Sequence, residues 1–281
     1  MRWCYPLSQH SNRKIVTVKL GGSTMDDERA IRYLAEDVVY LQGKDLRFAI
    51  VHGGGKEITR RMADAGLTPK KVAGLRITDD ATMEIVEEVM REANKEICSI
   101  FRSVGVVPEP ISGADGLLVC ERKPPVLVDN GGSKKFVDLG RVGQVVRVES
   151  RIVLEAIERG RVPIIAPIGK DKSGMTLNIN ADTAAGSIAG ACSEGFVLLT
   201  DVDGIYIPGP NGAQLAPELR ISEIQDLVAK GIIKEGMLPK TEACVHAINS
   251  GVKTAWIANG LRRYALRSVL SGQDHGTKIH G

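Results

Sequence analysis

Lys19 stands one residue before the end of an apolar, β-branched run, in VKLGGS, and Gly21 and Gly22 follow it. A lysine beside glycine amides at the start of a helix makes a site for an anion, because the amides point outward and the helix dipole favours negative charge there. The layout returns in VHGGGKEI, where Gly53, Gly54 and Gly55 remove every Cβ from the approach to the backbone. Tight strand-to-helix turns would use the same residues. Neither loop is followed by a Walker lysine with serine or threonine, and neither reads G-x-G-x-x-G. In GLRITD, Arg76 is a planar fork suited to a carboxylate, although a surface arginine would look the same. NINAD puts Asn178 and Asn180 on one side of an extended segment, with Asp182 at a helix start. Asp182 there is either a simple cap or an acid that organises a polar site. TDVDG sets Thr200, Asp201 and Asp203 at a strand end, suited to ribose hydroxyls or a metal. EGMLPK puts Lys240 in the first turn of a helix, against the dipole preference, and that asks for an anion close by.

No Ser-His-Asp set, metal motif or paired-carboxylate device accompanies these groups, and His52 reads as a packing residue before it reads as a base. The recurring combination is glycine loop, lysine and helix N-terminus. Such a set holds several negative oxygens at once, which is what phosphoryl transfer requires, since its catalysis is mostly positioning and charge neutralisation.

The elements that must position these residues alternate along the chain. KIVTVKL (14–20) and RFAIV (47–51) are strand-like, and each ends at a glycine loop. Between them Ile31, Leu34, Val38 and Leu41 form one helical stripe. Residues 56–66 form the next helix, stopped by Gly66, and 79–105 the longest, started by Asp79 and Asp80. The segments in 111–149 are short, glycine-bounded and alternating, and read as antiparallel hairpins that decorate the sheet. Residues 150–160 read as a capped helix, 162–168 as a buried strand, 170–174 as a solvated turn and 181–195 as a helix of small residues. A strand from 196, two helices with Pro239 in the first turn of the second, and strands at KTAWIA and GTKI complete the chain. The expected fold is α/β, an open, mostly parallel central sheet between helical layers. Residues 1–13 read as a short leader, 14–172 as an N-terminal lobe and 173–281 as a C-terminal lobe.

Composition narrows the function class. With 37 basic and 34 acidic residues the net charge is +3, too balanced for a nucleic-acid binder and compatible with an anionic substrate. Aromatics make up 4%, too few for base-stacking platforms. Five scattered cysteines without a C-x-x-C pair argue for a reducing cytoplasm and against a disulfide framework or zinc site. No apolar stretch reaches the length of a membrane span, which excludes a membrane partner on this reading.

Taken together, VKLGGS, VHGGGKEI, GLRITD, VDLGRVGQV, VPIIAPIG, NINADTAAGSIA, LLTDVDGI and GMLPKTEACVHAINSGV resemble, in order and spacing, the amino-acid kinase superfamily over residues 14–281. Within it the resemblance is to the kinases that phosphorylate N-acetyl-L-glutamate in arginine biosynthesis. It implies ATP with Mg2+ carried mainly by the nucleotide, an acyl amino acid bound by the N-terminal lobe, and ATP bound by the C-terminal lobe. Lys19 and Lys240 would stabilise the transferring phosphoryl group, and Asp182 would orient them. Gly21 and Gly22 would receive the β- and γ-phosphates. Gly54, Gly55, Arg76 and Asn178 would hold the acceptor, with Asn180 beside them. Thr200, Asp201, Val202, Gly204 and Met237 would line the nucleotide site. The acceptor is then a carboxylate, ionised at neutral pH, and no general base is needed.

The C-terminal segment departs from the resemblance. Asn259-Gly260-Leu261 stands where Asp-Gly-Arg is common, Tyr264 where histidine is common, and Ser268 to Gly272 lacks the glutamate of arginine-inhibited members. The leader is shorter than the helix that interlaces their hexamers. A homodimer without arginine feedback is the expectation. LRSVLSG also resembles kinases whose aminoadipate or glutamate rides on a small acidic carrier protein, but those replace GLRITD with a Ser-Arg-Tyr stretch. A non-catalytic sensor of the same fold is the other alternative, opposed by the presence of Lys19, Asp182 and Lys240.

Overall fold

Strand alternation decides on which side of the sheet each reactive residue emerges. In the computed structural model, which describes residues 14–129, 134–273 and 276–281, β1 (Lys14–Leu20) turns Val16, Val18 and Leu20 into one core. Lys19 and Thr17 therefore face the other side. The first core is closed by α1 (Glu28–Gln42), and β2 (Leu46–His52) contributes Phe48 and Ile50 to it. The opposite faces of the same strands, Ala49 and Val51 among them, join a second core.

The chain continues with α2 (Gly55–Asp64), α3 (Asp80–Ser103), β3 (Pro108–Ser112), α4 (Ser150–Glu158) and β4 (Val162–Ala166). It then forms α5 (Ala181–Cys192), β5 (Gly195–Thr200), β6 (Glu218–Arg220), α6 (Ile221–Ala229), α7 (Leu238–Asn249), β7 (Thr254–Asn259), α8 (Ala265–Leu270) and β8 (Thr277–His280). The eight strands form one sheet in the order β6-β8-β7-β5-β1-β2-β4-β3. All pairs are parallel except β7 with β8. Helices α1, α3 and α8 cover one face and α4, α5 and α7 the other. This is the open α/β sheet the sequence predicts, and β1 and β5, paired at its centre, both end at the ligand-binding edge such sheets use.

Several local expectations are corrected. Residues 111 and 112, read as the start of the decorating hairpins, instead end the edge strand 108–112 of the main sheet, which pairs with β4. Its prolines at 108 and 110 hid it, since two prolines in five residues argue against a strand unless it lies at a sheet edge. The remainder of 111–149 does contribute antiparallel pairs, Leu118–Arg122 with Gly143–Val148 and Val126–Asp129 with Lys134–Val137. Residues 130–133, in the middle of the predicted hairpin, lie outside the described residues, as does the predicted leader 1–13. Helix α4, read as capped, is preceded by Glu149, whose side chain makes no capping bond. A hairpin (Tyr206–Gly209 with Gly212–Leu215), β6 and α8 were not read from the sequence. Among the described residues no helix is long and apolar enough to cross a membrane.

Helices α5 and α7 pack unusually closely, and small residues make this possible. A Cβ on Gly186 would stand 2.7 Å from the Ala243 carbonyl oxygen, and one on Gly190 would stand 2.5 Å from Ser250 Cβ. The stripe of small residues read in 181–195 is therefore a helix–helix seam, and the seam brings the start of α7 to the start of α5.

Candidate active site

The seam and the alternation of β1 converge on one carboxylate. Asp182, in the first turn of α5 and 5% exposed, accepts an ion pair from Lys19 Nζ at 2.7 Å through Oδ1. Its Oδ2 lies 3.5 Å from Lys240 Nζ. Burial alone would raise the Asp182 pKa, but the two ammonium groups outweigh it and hold the carboxyl below the ordinary range. The alternative of Asp182 as a helix cap is overturned. Asn180 is the cap, its Oδ1 accepting from the amides of Asp182 at 2.9 Å and Thr183 at 3.0 Å. Asn180 lines the cleft as expected of a residue beside the acceptor, but its Oδ1 serves the helix. Lys240 also donates to the Gly236 carbonyl at 3.2 Å. The anion its position called for is, within the protein, Asp182.

The glycine loops divide their work in a way the sequence did not reveal. Gly21 donates its amide to the Leu199 carbonyl at 3.2 Å, and Gly53 donates to the Leu20 carbonyl at 3.1 Å. These bonds stitch β1 to its neighbours, and the amide of Gly21 is not free to receive a phosphate. What Gly21 supplies is space: a Cβ there would lie 1.8 Å from Lys19 Nζ. Its φ of −158° is open to any residue, so the glycine is needed for the lysine and not for the backbone. Gly21→Ala is expected to cut kcat about as deeply as removal of Lys19 itself, with the unfolding temperature little changed. Steady-state assay beside thermal unfolding checks both halves. Gly22, at φ +63°, does need a glycine-type conformation, and it turns the chain toward Asp201.

Lys19, Gly21, Gly22, Gly54, Gly55, Arg76, Asn178, Asn180 and Asp182 all line one cleft of about 910 Å3. Arg76 is 8% exposed and reaches Gly55 O at 2.8 Å, Thr59 Oγ1 at 2.6 Å and Met62 Sδ at 3.1 Å. Among the described residues no carboxylate pairs with it. Burial pulls its pKa down, yet a guanidinium stays charged in proteins. A buried cation in a cleft with no anion of its own is a site for an anionic ligand. Asn178 donates to Thr78 Oγ1 at 3.2 Å, while its backbone amide bonds the Arg141 carbonyl at 2.8 Å. The VDLGRVGQV segment thus wedges between the Arg76 and Asn178 strips, where a Cβ on Gly140 would lie 2.2 Å from the Thr78 carbonyl oxygen.

Of the residues expected around a nucleotide, Gly21 and Gly22 line this cleft, whereas Thr200, Asp201, Val202, Gly204 and Met237 are not among its lining residues. Thr200 and Asp201 stand at the end of β5, with Thr200 Oγ1 donating to Asp201 Oδ1 at 3.2 Å. Val202 is exposed, and Met237 is half-buried just before α7. Gly204, at φ +155°, packs so closely that a Cβ would meet Thr277 Oγ1 at 2.6 Å. Asp203 is engaged by Asn259 at 3.0 Å and Arg262 at 2.9 Å, which ties it to β7 and the loop after it. His52 is fully buried, its pKa pulled down to about 4 by burial, and bonds Gly53 O at 3.0 Å. It is neutral and packed.

Two groups escaped the sequence reading. Thr59 orients Arg76, and no signal in the sequence marks it. Lys56 stands in the first turn of α2 as Lys240 does in α7, and the same dipole argument would have found it.

Residues 14–259 match the amino acid kinase family. The chain is 40% identical to an acetylglutamate kinase of Methanococcus vannielii over 93% of its own length and 90% of that protein's. It is 39% identical to an acetylglutamate kinase of Methanocaldococcus jannaschii over 98% and 93%. In three dimensions it superposes on N-acetylglutamate synthase from Neisseria gonorrhoeae, complexed with coenzyme A and N-acetyl-glutamate, with a TM-score of 0.78 at 23% identity. That match covers 95% of this chain and 59% of the synthase, so the chain spans about three fifths of the synthase's length. Carbamate kinase of Giardia superposes with a TM-score of 0.66 at 17% identity over 96% of this chain and 99% of that one. At these identities the two structures speak for the fold alone.

Proposed function

The chain belongs to the amino acid kinase family, and from that premise we propose that it transfers the γ-phosphoryl group of ATP to the γ-carboxylate of N-acetyl-L-glutamate, a step of arginine biosynthesis. The observation that carries this reading is the placement of Arg76, buried and without a carboxylate partner among the described residues, in the same cleft as the Lys19–Asp182 pair. One end of the cleft suits the α-carboxylate of an acidic acceptor, and the other suits a phosphoryl group. The acetylglutamate kinases related to it across most of the chain supply the acceptor's identity.

On this reading a γ-carboxylate oxygen forms a bond to the γ-phosphorus as the bond to the bridging oxygen breaks, and ADP leaves with the electron pair. The carboxylate is ionised at neutral pH, so no proton has to be removed. The obstacle is repulsion between two anions. Lys19, with its ammonium held at the end of β1, and Lys240, at the start of α7, neutralise charge on the transferring group. Asp182 fixes the spacing of both. The free amides at the start of α2 face the acceptor. Magnesium prefers oxygen ligands and keeps waters, and the Ser23 hydroxyl and Asp201 carboxylate beside Gly22 are a donor set that fits it. Bound with the triphosphate, it supplies further charge neutralisation.

In this scheme residues 14–172 hold the acceptor and 173–281 the nucleotide, with Thr200, Asp201, Val202, Gly204 and Met237 on the nucleotide side. A cytoplasmic homodimer completes the reading. The cleft wall is mixed in charge and does not favour an acidic carrier: Asp26, Glu28, Glu57, Glu92 and Glu96 line it beside Lys56, Arg61 and Lys71, and Lys56 and Arg61 are paired to acids.

A hydroxamate trap for acyl phosphate, run with N-acetylglutamate, N-acetylaminoadipate and glutamate, tests the proposal. Signal with N-acetylglutamate above the others supports it, and ADP release with none of them overturns it. Arg76→Ala is expected to raise KM for the acetylated acceptor by about 10–100-fold, the worth of a charged hydrogen bond, and to leave KM for ATP nearly unchanged. Initial rates with each substrate varied in turn check this, and an equal change in both constants would remove Arg76 from the acceptor site.

A further inference from the structure

Lys56 sits where its charge is locally disfavoured. It occupies the first turn of α2, immediately after Gly55, and a cation there opposes the helix dipole. The side chain leaves its own helix. Its Nζ donates to Ser23 Oγ at 2.9 Å and pairs with Asp26 Oδ2 at 2.8 Å. Ser23 in turn donates to Asp201 Oδ2 at 2.9 Å. The relay therefore joins three pieces of the cleft region that come from separate parts of the chain. They are the acceptor loop before α2, the turn after Gly22 that follows β1, and the end of β5. The Ser23 hydroxyl is used on both sides, as acceptor from Lys56 and donor to Asp201.

We propose that Lys56 is a positioning residue that couples the two substrate loops, so that occupancy of the nucleotide loop at Gly22–Ser23 tightens binding of the carboxylate acceptor at Gly54–Gly55. The inference rests on the kinase reading given above. Phosphoryl transfer needs the two reacting anions within about 3–3.5 Å of each other, and a direct tie between the loops that carry them sets that distance. The tie acts through Ser23, and both ends of the relay lie outside the Lys19–Asp182–Lys240 row. Both Lys56 and Asp26 are exposed, and an exposed pair contributes little to folding stability. Its use must lie elsewhere than in holding the fold.

The test is a calorimetric binding cycle on the full chain: N-acetylglutamate titrated with and without a non-hydrolysable ATP analogue and magnesium. In wild type the analogue should tighten acceptor binding, within the roughly 5–150-fold range of coupled sites. Lys56→Met should abolish most of that factor, leave the affinity for each ligand alone within about threefold, and leave the unfolding temperature unchanged. Lys56→Arg, which can still reach Ser23, should restore part of it. Absence of coupling in wild type, or full coupling in Lys56→Met, overturns the inference. So does loss of nucleotide affinity alone in Lys56→Met, since that would mean direct contact with phosphate. Wild-type acyl phosphate formation, measured in parallel, separates the cases: if it fails, the kinase reading is at fault, and if it holds while coupling is unchanged, only the role of Lys56 is.

Discussion

Lys19→Ala is expected to lower kcat by about 10²–10³-fold while the chain stays folded, and Lys240→Ala to do nearly the same. That loss corresponds to about 2.7–4 kcal/mol of transition-state stabilisation. Both ammonium groups reach a single buried carboxylate, and charges around a buried group act more strongly than at the surface. Folding should survive either change, because Asp182 keeps one lysine when the other is removed. Lys19→Ala strands no charge: the remaining pair, Lys240 with Asp182, is the 3.5 Å contact already present. Turnover at saturating substrate, set beside thermal unfolding, separates catalysis from stability. Near-normal turnover in both variants would take the lysines out of the chemistry.

Asp182→Asn should be worse, and in two ways. It leaves the two ammonium groups that flank it facing a neutral amide, so their spacing is no longer fixed. An activity loss at least as large as for Lys19→Ala is expected. Removing one partner from a buried ionic group also costs about 3–5 kcal/mol of stability. The pH dependence identifies the source. The folded-state pKa of Asp182 is depressed, so its contribution is present above the unfolded carboxyl value and lost as pH falls through the folded one. The stability gap between wild type and Asp182→Asn should be full at neutral pH and narrow below about pH 4. A gap constant from neutral to strongly acid pH would mean that the amide merely packs badly.

The parts of this molecule legible in its sequence are those fixed by short-range patterns. β1, β2, α1, α3 and β5 were readable because apolar period, caps and glycine stops agree over many residues. Lys240 was readable as a candidate because a lysine at a helix start offends the dipole preference, Lys19 because glycine amides stand beside it, and Asp182 because two asparagines precede it at a helix start. What was not legible is what depends on contacts between distant segments. The cap of α5 belongs to Asn180 and not Asp182, a difference of geometry within one turn. The role of Gly21 depends on where the Lys19 side chain folds back, and no pattern of types records that. β3 was hidden by its two prolines, at 108 and 110, which an edge position accommodates. Lys56 is legible by the rule that marks Lys240, since both are lysines in the first turn of a helix.

The close seam between α5 and α7 bears on attempts to harden this protein. Replacing helical glycines by alanine is a standard way to raise heat tolerance, because it removes freedom from the unfolded chain. Gly186 and Gly190, inside a helix, look like natural choices. Here each added methyl would push α7 off α5 and draw Lys240 away from Asp182, so a variant selected for robustness at these sites would trade away turnover. The two glycines act at a distance on the reacting centre, and any engineering campaign should leave that seam as it stands.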